Sequence, residues 1–173
     1  MKIVFVSGLK EIDRKTIIEL ALQRAGRKRD FKIVNFDAIG DIKEEIEVIS
    51  DMNNARRLLD KFYENIEKSM IEAMKEQPNG LVINGYLTFK TRHGYVRVLP
   101  EEFFRSFKPD CIVLLEMQQD GWGKIDPEKI EHQHINRYFA MVYASLIGST
   151  FKIIRFREKK MLDAVESLSD ILK

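Results

Sequence analysis

An α/β domain, a three-layer α/β/α sandwich on a five-stranded parallel sheet, is the fold class that the sequence predicts, and two observations predict it. Short stretches at 2–7, 80–83 and 111–116 are apolar almost throughout rather than alternating, as strands covered on both faces are. Between the apolar stretches lie segments with helical periodicity, most plainly 53–77, where Leu59, Phe62, Ile66, Met70, Ala73 and Met74 recur at spacings of three and four. Strands that alternate with helices and need cover on both sides form a parallel sheet between two helical layers.

Taken in order, the strand at 2–7 ends at Ser7-Gly8, and a helix at 15–25 follows before Gly26. A second strand, 31–35, leads to helices at 41–50 and 53–77, the latter stopped by Pro78-Asn79-Gly80. A third strand spans 80–84, and 85–100 reads as a long polar and aromatic loop broken by glycine and proline. A short helix at 101–106 precedes the fourth strand, 111–116. Asp126-Pro127 supplies an N-cap followed by proline at the first helical position, opening a helix that runs to Gly148. The fifth strand is 151–155, and Met161, Leu162, Val165, Leu168 and Leu172 mark the inward face of a terminal helix. No linker or repeat interrupts 1–173, so one domain is expected.

Composition narrows the function classes. The 29 basic and 27 acidic side chains leave a net charge of +2, too balanced for nucleic-acid binding to be expected from bulk charge. An RNA contact through Arg24, Arg27, Lys28 and Arg29 together with Arg92 and Arg97 is the weakest reading, because cations after a helix C-terminus complement its dipole. No apolar stretch approaches the roughly 20 residues that span a bilayer, so no membrane anchor is expected. The amino-terminal stretch lacks the longer apolar region and small-residue cleavage site of a secretion signal. Cys111, the single cysteine, lies within the apolar stretch 111–115, which fits a reduced thiol and a cytoplasmic location.

Chemistry is sought first at the loop after the first strand, because a strand feeding a helix can cradle phosphate with backbone amides. The loop reads Gly8-Leu9-Lys10-Glu11-Ile12-Asp13-Arg14-Lys15-Thr16. A phosphate loop needs a second glycine for close backbone approach, then lysine for charge and Ser or Thr for magnesium. Asp13 stands at the glycine position, Glu11 adds another carboxylate, and without a gap Arg14 and Lys15 fall at the lysine and metal-ligand positions. Lys15-Thr16 restores the Lys-Thr pair only in a loop one residue longer. Taken alone, the segment is a weak phosphate-loop motif.

The second half of the chain carries a resemblance. Glu131-His132-Gln133, Asn136-Arg137, Ala140-Met141-Val142-Tyr143 and the segment 146–154 resemble the last long helix and final strand of archaeal adenylate kinases. Val34-Asn35-Phe36, the helix bearing Arg56, and Lys90-Thr91 with Gly94-Tyr95 and Leu99-Pro100 agree in place. The resemblance implies a P-loop kinase-like fold with a monophosphate-binding segment near 37–75 and a lid. It implies ATP with Mg2+ as cofactor, a nucleotide as partner and a homo-oligomer, commonly a trimer. By this resemblance Gly8, Arg14, Lys15, Thr16 and Arg56 are candidates for binding nucleotide, and Lys15 and Arg137 for catalysis.

The departures from that family fall on chemistry. Of the loop, the first glycine and Thr16 remain; Asn84-Gly85-Tyr86 replaces the family's Asp-Thr-His; and 117–125, in the place of the lid, holds no arginine. Phosphoryl transfer rests on positioning and charge stabilisation. ATP with Mg2+ is therefore expected to bind weakly if at all, and the chain is expected to act by binding a nucleotide or a macromolecule with weak or no transfer. The alternative is an active nucleoside monophosphate kinase working through Lys15-Thr16. A charged helical face accounts for Arg56 and Arg57 better than a bound monophosphate does, and an ion pair accounts for Arg137 as well as a phosphate contact does. His132 and His134, two apart on a helix, do not face one another, so no metal is expected there. Trp122 between two glycines suggests either a contact site or a ring that tucks back onto the domain.

Overall fold

The computed structural model describes residues 1–118 and 126–173. The strands are β1 (Lys2–Gly8), β2 (Phe31–Asn35), β3 (Gly80–Asn84), β4 (Thr88–Thr91), β5 (Gly94–Arg97), β6 (Cys111–Gln118) and β7 (Thr150–Arg157). The helices are α1 (Arg14–Arg24), α2 (Phe36–Ile39), α3 (Lys43–Val48), α4 (Met52–Lys75), α5 (Glu101–Phe107), α6 (Pro127–Ile147) and α7 (Met161–Leu172). Five strands pair in the order β2-β3-β1-β6-β7, and every pairing in that sheet is parallel. This is the parallel α/β architecture that the apolar strands predict.

One face of the sheet packs Ile3, Phe5, Ile83, Ile112 and Leu114 against the α4 stripe and against Phe103, Phe104 and Tyr143. The other packs Val4, Val6, Val82, Val113 and Leu115 against α1 and α7. Alternate side chains thus enter two different cores, which is why the strands are apolar at nearly every position. The register sets Val6 beside Asn84 and Gly8 beside Leu115, so the ends of β1, β3 and β6 form one carboxyl edge.

Three expectations are corrected. The stretch 85–100 is not one loop: β4 and β5 form an antiparallel hairpin with Thr88 opposite Arg97 and Thr91 opposite Gly94. The turn is tight, with Gly94 at φ 117°, a backbone conformation that favours glycine. The helix expected at 41–50 is shorter, α3 at Lys43–Val48, and a separate short helix that the sequence did not reveal, α2, precedes it across Gly40-Asp41-Ile42. Leu162 does not face inward but is 70% exposed, because at 100° per residue it lies about a quarter-turn from the buried stripe of Ala164, Val165, Leu168 and Leu172. Trp122 and most of the lid stretch, 119–125, lie outside the described residues. Among the described residues no helix is long and apolar enough to cross a membrane.

Candidate functional site

Gly8 closes β1 at the carboxyl edge, where any Cβ would come within 2.8 Å of the Leu115 carbonyl oxygen on β6. Close strand contact therefore requires glycine here regardless of any ligand. Leu9 and Ile12 then turn into the core beside Ile17 and Ile18, pulling the loop down onto the sheet. Two of its amides are used internally: Ile12 N donates to Leu9 O at 3.1 Å and Arg14 N to Ile12 O at 2.8 Å.

The interior of the loop is taken by Arg14. Its guanidinium donates through Nη1 to the carbonyl oxygens of Gly8 (3.1 Å) and Leu9 (3.0 Å), and through Nε to Asn84 Oδ1 (2.8 Å). Tyr86 lies beneath it, 4.2 Å from ring centroid to the guanidinium carbon, and the residue is only 3% exposed. Carbonyls converge where a phosphate cradle needs amides, and a cation satisfies them. Asn84 in turn donates to Asn35 Oδ1 at 3.2 Å, and Asn35 also caps α2 by accepting from Asp37 N.

The N-terminus of α1 is capped from within the chain. Asp13 accepts from Thr16 N at 3.2 Å and from the Thr16 hydroxyl at 2.8 Å, so a carboxylate already occupies the electropositive end of the helix. Lys15 is exposed. The structure thus brings Gly8 and Arg14 together and joins Thr16 to Asp13. It sets Arg56, exposed on α4, apart from the loop, since α4 packs on the sheet face opposite α1.

Arg137 belongs to a different group on the same edge. It makes two hydrogen bonds to Glu116, Nε to Oε2 at 2.6 Å and Nη2 to Oε1 at 2.8 Å, and Glu116 is 2% exposed at the end of β6. Arg155 on β7 adds an ion pair to the same carboxylate at 3.5 Å. The Glu116 contact raises the pKa of Arg137 further above its ordinary value. Glu116 escaped notice in the sequence, although a charge that continues an apolar strand signals a buried ion pair.

A cleft of about 160 Å³ opens between the loop, α3, the hairpin and α6. Three of the four lysines that line it are matched by carboxylates of the same chain: Lys10 with Glu47 (3.3 Å), Lys43 with Asp37 (2.9 Å) and Lys90 with Glu128 (2.6 Å). Lys43 also donates to the Tyr86 hydroxyl at 2.7 Å, and that hydroxyl donates to Asp37 at 3.0 Å. His132 lies over the hairpin, 2.9 Å from the Thr88 hydroxyl and 4.9 Å ring to ring from Tyr95, whereas His134 is exposed. Thr88 donates its hydroxyl proton to Asn136 Oδ1 at 2.6 Å, so it accepts from His132 Nε2. Burial depresses the pKa of this imidazole, outweighing the Thr88 contact and the charge of Glu11. Among the described residues no three His, Cys, Asp or Glu side chains gather as a metal would need.

A family profile described as an AAA domain matches residues 21–122, a span that starts after the loop. The chain is 30% identical over 192 residues to the adenylate kinase of Pyrococcus abyssi, covering 98% of this chain and 94% of that one. It is also 30% identical over 190 residues to the adenylate kinase of Methanocaldococcus jannaschii, covering 99% and 98%. The chain belongs to the adenylate kinase family of P-loop kinases. Against the adenylate kinase of Methanococcus aeolicus the identity is 29% over 191 residues, with 99% and 98% covered. The likeness to adenylate kinases therefore runs the length of this chain.

Proposed function

We propose that this protein keeps the adenylate kinase scaffold but transfers phosphoryl groups weakly or not at all, acting instead by binding a nucleotide or a macromolecule. The observation that carries the reading is Arg14, whose guanidinium fills the loop and turns the Gly8 and Leu9 carbonyls inward. A phosphate entering there would meet carbonyl oxygens and the carboxylate of Asp13, and electrostatic stabilisation of the transferred group is what this chemistry needs most.

The ATP with Mg2+ that the family resemblance implies does not fit these residues. Asn84 is neutral and its oxygen accepts from Arg14, while the Thr16 hydroxyl donates to Asp13. The alternative, an active nucleoside monophosphate kinase converting ATP and AMP to two ADP, is favoured by the full-length likeness to adenylate kinases. It requires Asp13 to release Thr16 and Lys15 to turn inward.

The test is ADP formation from ATP, AMP and Mg2+, with the Pyrococcus abyssi adenylate kinase measured alongside at one temperature. A rate far below that enzyme is expected. Turnover within about tenfold of it, a barrier difference of about 1.4 kcal/mol, would establish the alternative.

A further inference from the structure

The second half of α6 is apolar on the face turned to solvent as well as on the face turned to the sheet. Residues 138–151 carry no charge. Ala140, Tyr143 and Ala144 are buried, while Tyr138, Met141 and Val142 are 67%, 55% and 57% exposed. Spacings of three and four set these three on one stripe, which Leu146 continues. A helix that is apolar all round is normally covered all round. The other large hydrophobics exposed among the described residues, Met1, Val48, Ile71 and Leu162, stand apart on separate elements. Scattered apolar side chains are ordinary on a surface, whereas a group of them marks a contact.

Cations stand at both ends of the stripe. At its carboxyl end, a cavity of about 380 Å³ is lined by Leu146 and Ile147 of α6 and by Arg105 and Lys108 at the end of α5. The Lys108 side chain makes no hydrogen bond or ion pair among the described residues. Lys108 also holds the left-handed position that ends α5, at φ 41°, where glycine is usual, so the turn itself does not call for a lysine. Arg105 has an exposed pair with Glu101 at 3.9 Å, which holds it weakly. At the amino end, Arg155 reaches the carboxylate that Arg137 holds beside Tyr138, and its side chain is about half exposed. Glu131 stands about two turns before Tyr138, beyond the stripe.

We propose that this stripe docks an amphipathic helix of an acidic partner protein, with its apolar side chains on Tyr138, Met141 and Val142 and its carboxylates at Arg105 and Lys108 and at Arg155. Side chains three and four apart form a ridge that the apolar face of a second helix can straddle. Arg137 and Leu146 mark the two ends about 14 Å apart at 1.5 Å per residue, so the partner's acidic groups stand roughly nine residues apart on its helix. A second copy of this chain fits less well. Two stripes packed antiparallel would set the Arg105 and Lys108 end of one copy against the Arg155 end of the other, and like charges would face. An acidic partner turns the same cations into attraction. The inference rests on the reading of this chain as a binding protein and names the surface and the chemistry of what docks there.

The test is fluorescence anisotropy of a labelled, alanine-based helical peptide titrated with the full chain. The peptide carries leucines at spacings of three and four with glutamates beyond each end of them, and a control peptide has lysines in place of the glutamates. The glutamate peptide should bind at least about tenfold more tightly than the lysine peptide. Val142→Asp should weaken its binding at least about tenfold. Arg105→Glu with Lys108→Glu should reverse the preference, so that the lysine peptide binds more tightly. Leu162→Ser, which removes an exposed hydrophobe on α7 across the sheet, should leave binding unchanged. All these side chains are exposed, so the variants should fold, as circular dichroism would verify, and the charge reversal decides the matter if Val142→Asp does not. No binding of the glutamate peptide, equal binding of the two peptides, or binding that Val142→Asp leaves intact overturns the proposal. An oligomer in sedimentation that Val142→Asp dissociates would assign the stripe to a second copy and overturn it. Phosphatidylserine vesicles bound through Val142 would assign it to a membrane and also overturn it. ADP formation on the same preparation at the rate of the Pyrococcus abyssi enzyme would overturn the reading of weak transfer and leave the peptide result standing, so the two failures are distinguishable.

Discussion

Arg137 holds Glu116 through a two-pronged pair at 2.6 and 2.8 Å, joining the middle of α6 to the end of β6. The carboxylate is almost wholly buried while the arginine is about one-third exposed. Both of its bonded nitrogens point at Glu116, so the pair braces α6 against β6.

Arg137→Ala should therefore destabilise the fold by about 3 kcal/mol, since breaking a buried pair leaves its charge uncompensated. Arg155, at 3.5 Å, would keep the cost toward the lower end. Urea denaturation measures it. A change under about 0.5 kcal/mol, the size expected of an ordinary surface residue, would release Arg137 for ligand contact.

Arg14→Ala should cost about 2–3 kcal/mol, because the Gly8 and Leu9 carbonyls and the Asn84 amide oxygen lose a buried donor. Arg14→Lys should recover part of that, as one ammonium can reach some but not all three acceptors. Equal stability of the alanine variant and the parent in urea would mean that water replaces the guanidinium without loss.

The distance between what the sequence reveals and what it hides is set by how local each signal is. Strands such as Cys111–Gln118 declare themselves because burial on both faces makes them apolar in sequence. The hairpin does not, because β4 and β5 have four residues each and mix lysine, arginine and threonine with Phe89 and Val96. The carboxylates of Asp13 and Glu11 in the loop are legible in the sequence, but the inward turn of Arg14 is not. It accompanies the burial of Leu9 and Ile12 and ends on Asn84, 70 residues away, so it is a tertiary event. Glu116 and Arg137 stand 21 residues apart, so nothing local announces their pairing.

The Asp37–Lys43–Tyr86 group gives a pH dependence with a defined sign. Burial pushes the Asp37 carboxyl up, but hydrogen bonds from Lys43 and Tyr86, with the charges of Lys43 and Arg14, outweigh it, and the pKa falls below the ordinary 3.8. Its stabilisation is thus fully present above 3.8 and is lost as pH falls through the lower folded value. For Lys43 burial pulls down, while Tyr86 and Asp37 more than offset it, so its pKa lies above 10.5 and its contribution is lost only as pH rises past that. Asp37→Asn should therefore lower the urea midpoint clearly at neutral pH and much less at about pH 3. An equal deficit at both would assign the effect to shape rather than charge.

Repair of the loop should restore phosphate binding before it restores catalysis. Asp13→Gly removes a carboxylate that, about 4 Å from a phosphate charge, costs roughly 4 kcal/mol at an effective dielectric near 20, and even a third of that is about tenfold in affinity. The same change frees the amide and hydroxyl of Thr16, both now accepted by Asp13, and grants the close backbone approach that only glycine permits. Arg14→Lys in the same chain loosens the guanidinium's hold on the Gly8 and Leu9 carbonyls while keeping a cation for phosphate. Leu9 and Ile12 stay in the core and Asn84 still offers magnesium no charge, so the loop opens only in part. The double variant should accordingly bind ATP with Mg2+ at least about tenfold more tightly than the parent in calorimetry, with ADP formation still far below that of the Pyrococcus abyssi enzyme. A folded double variant with no gain in ATP affinity would show that Asp13 and Arg14 are not what closes the loop to phosphate.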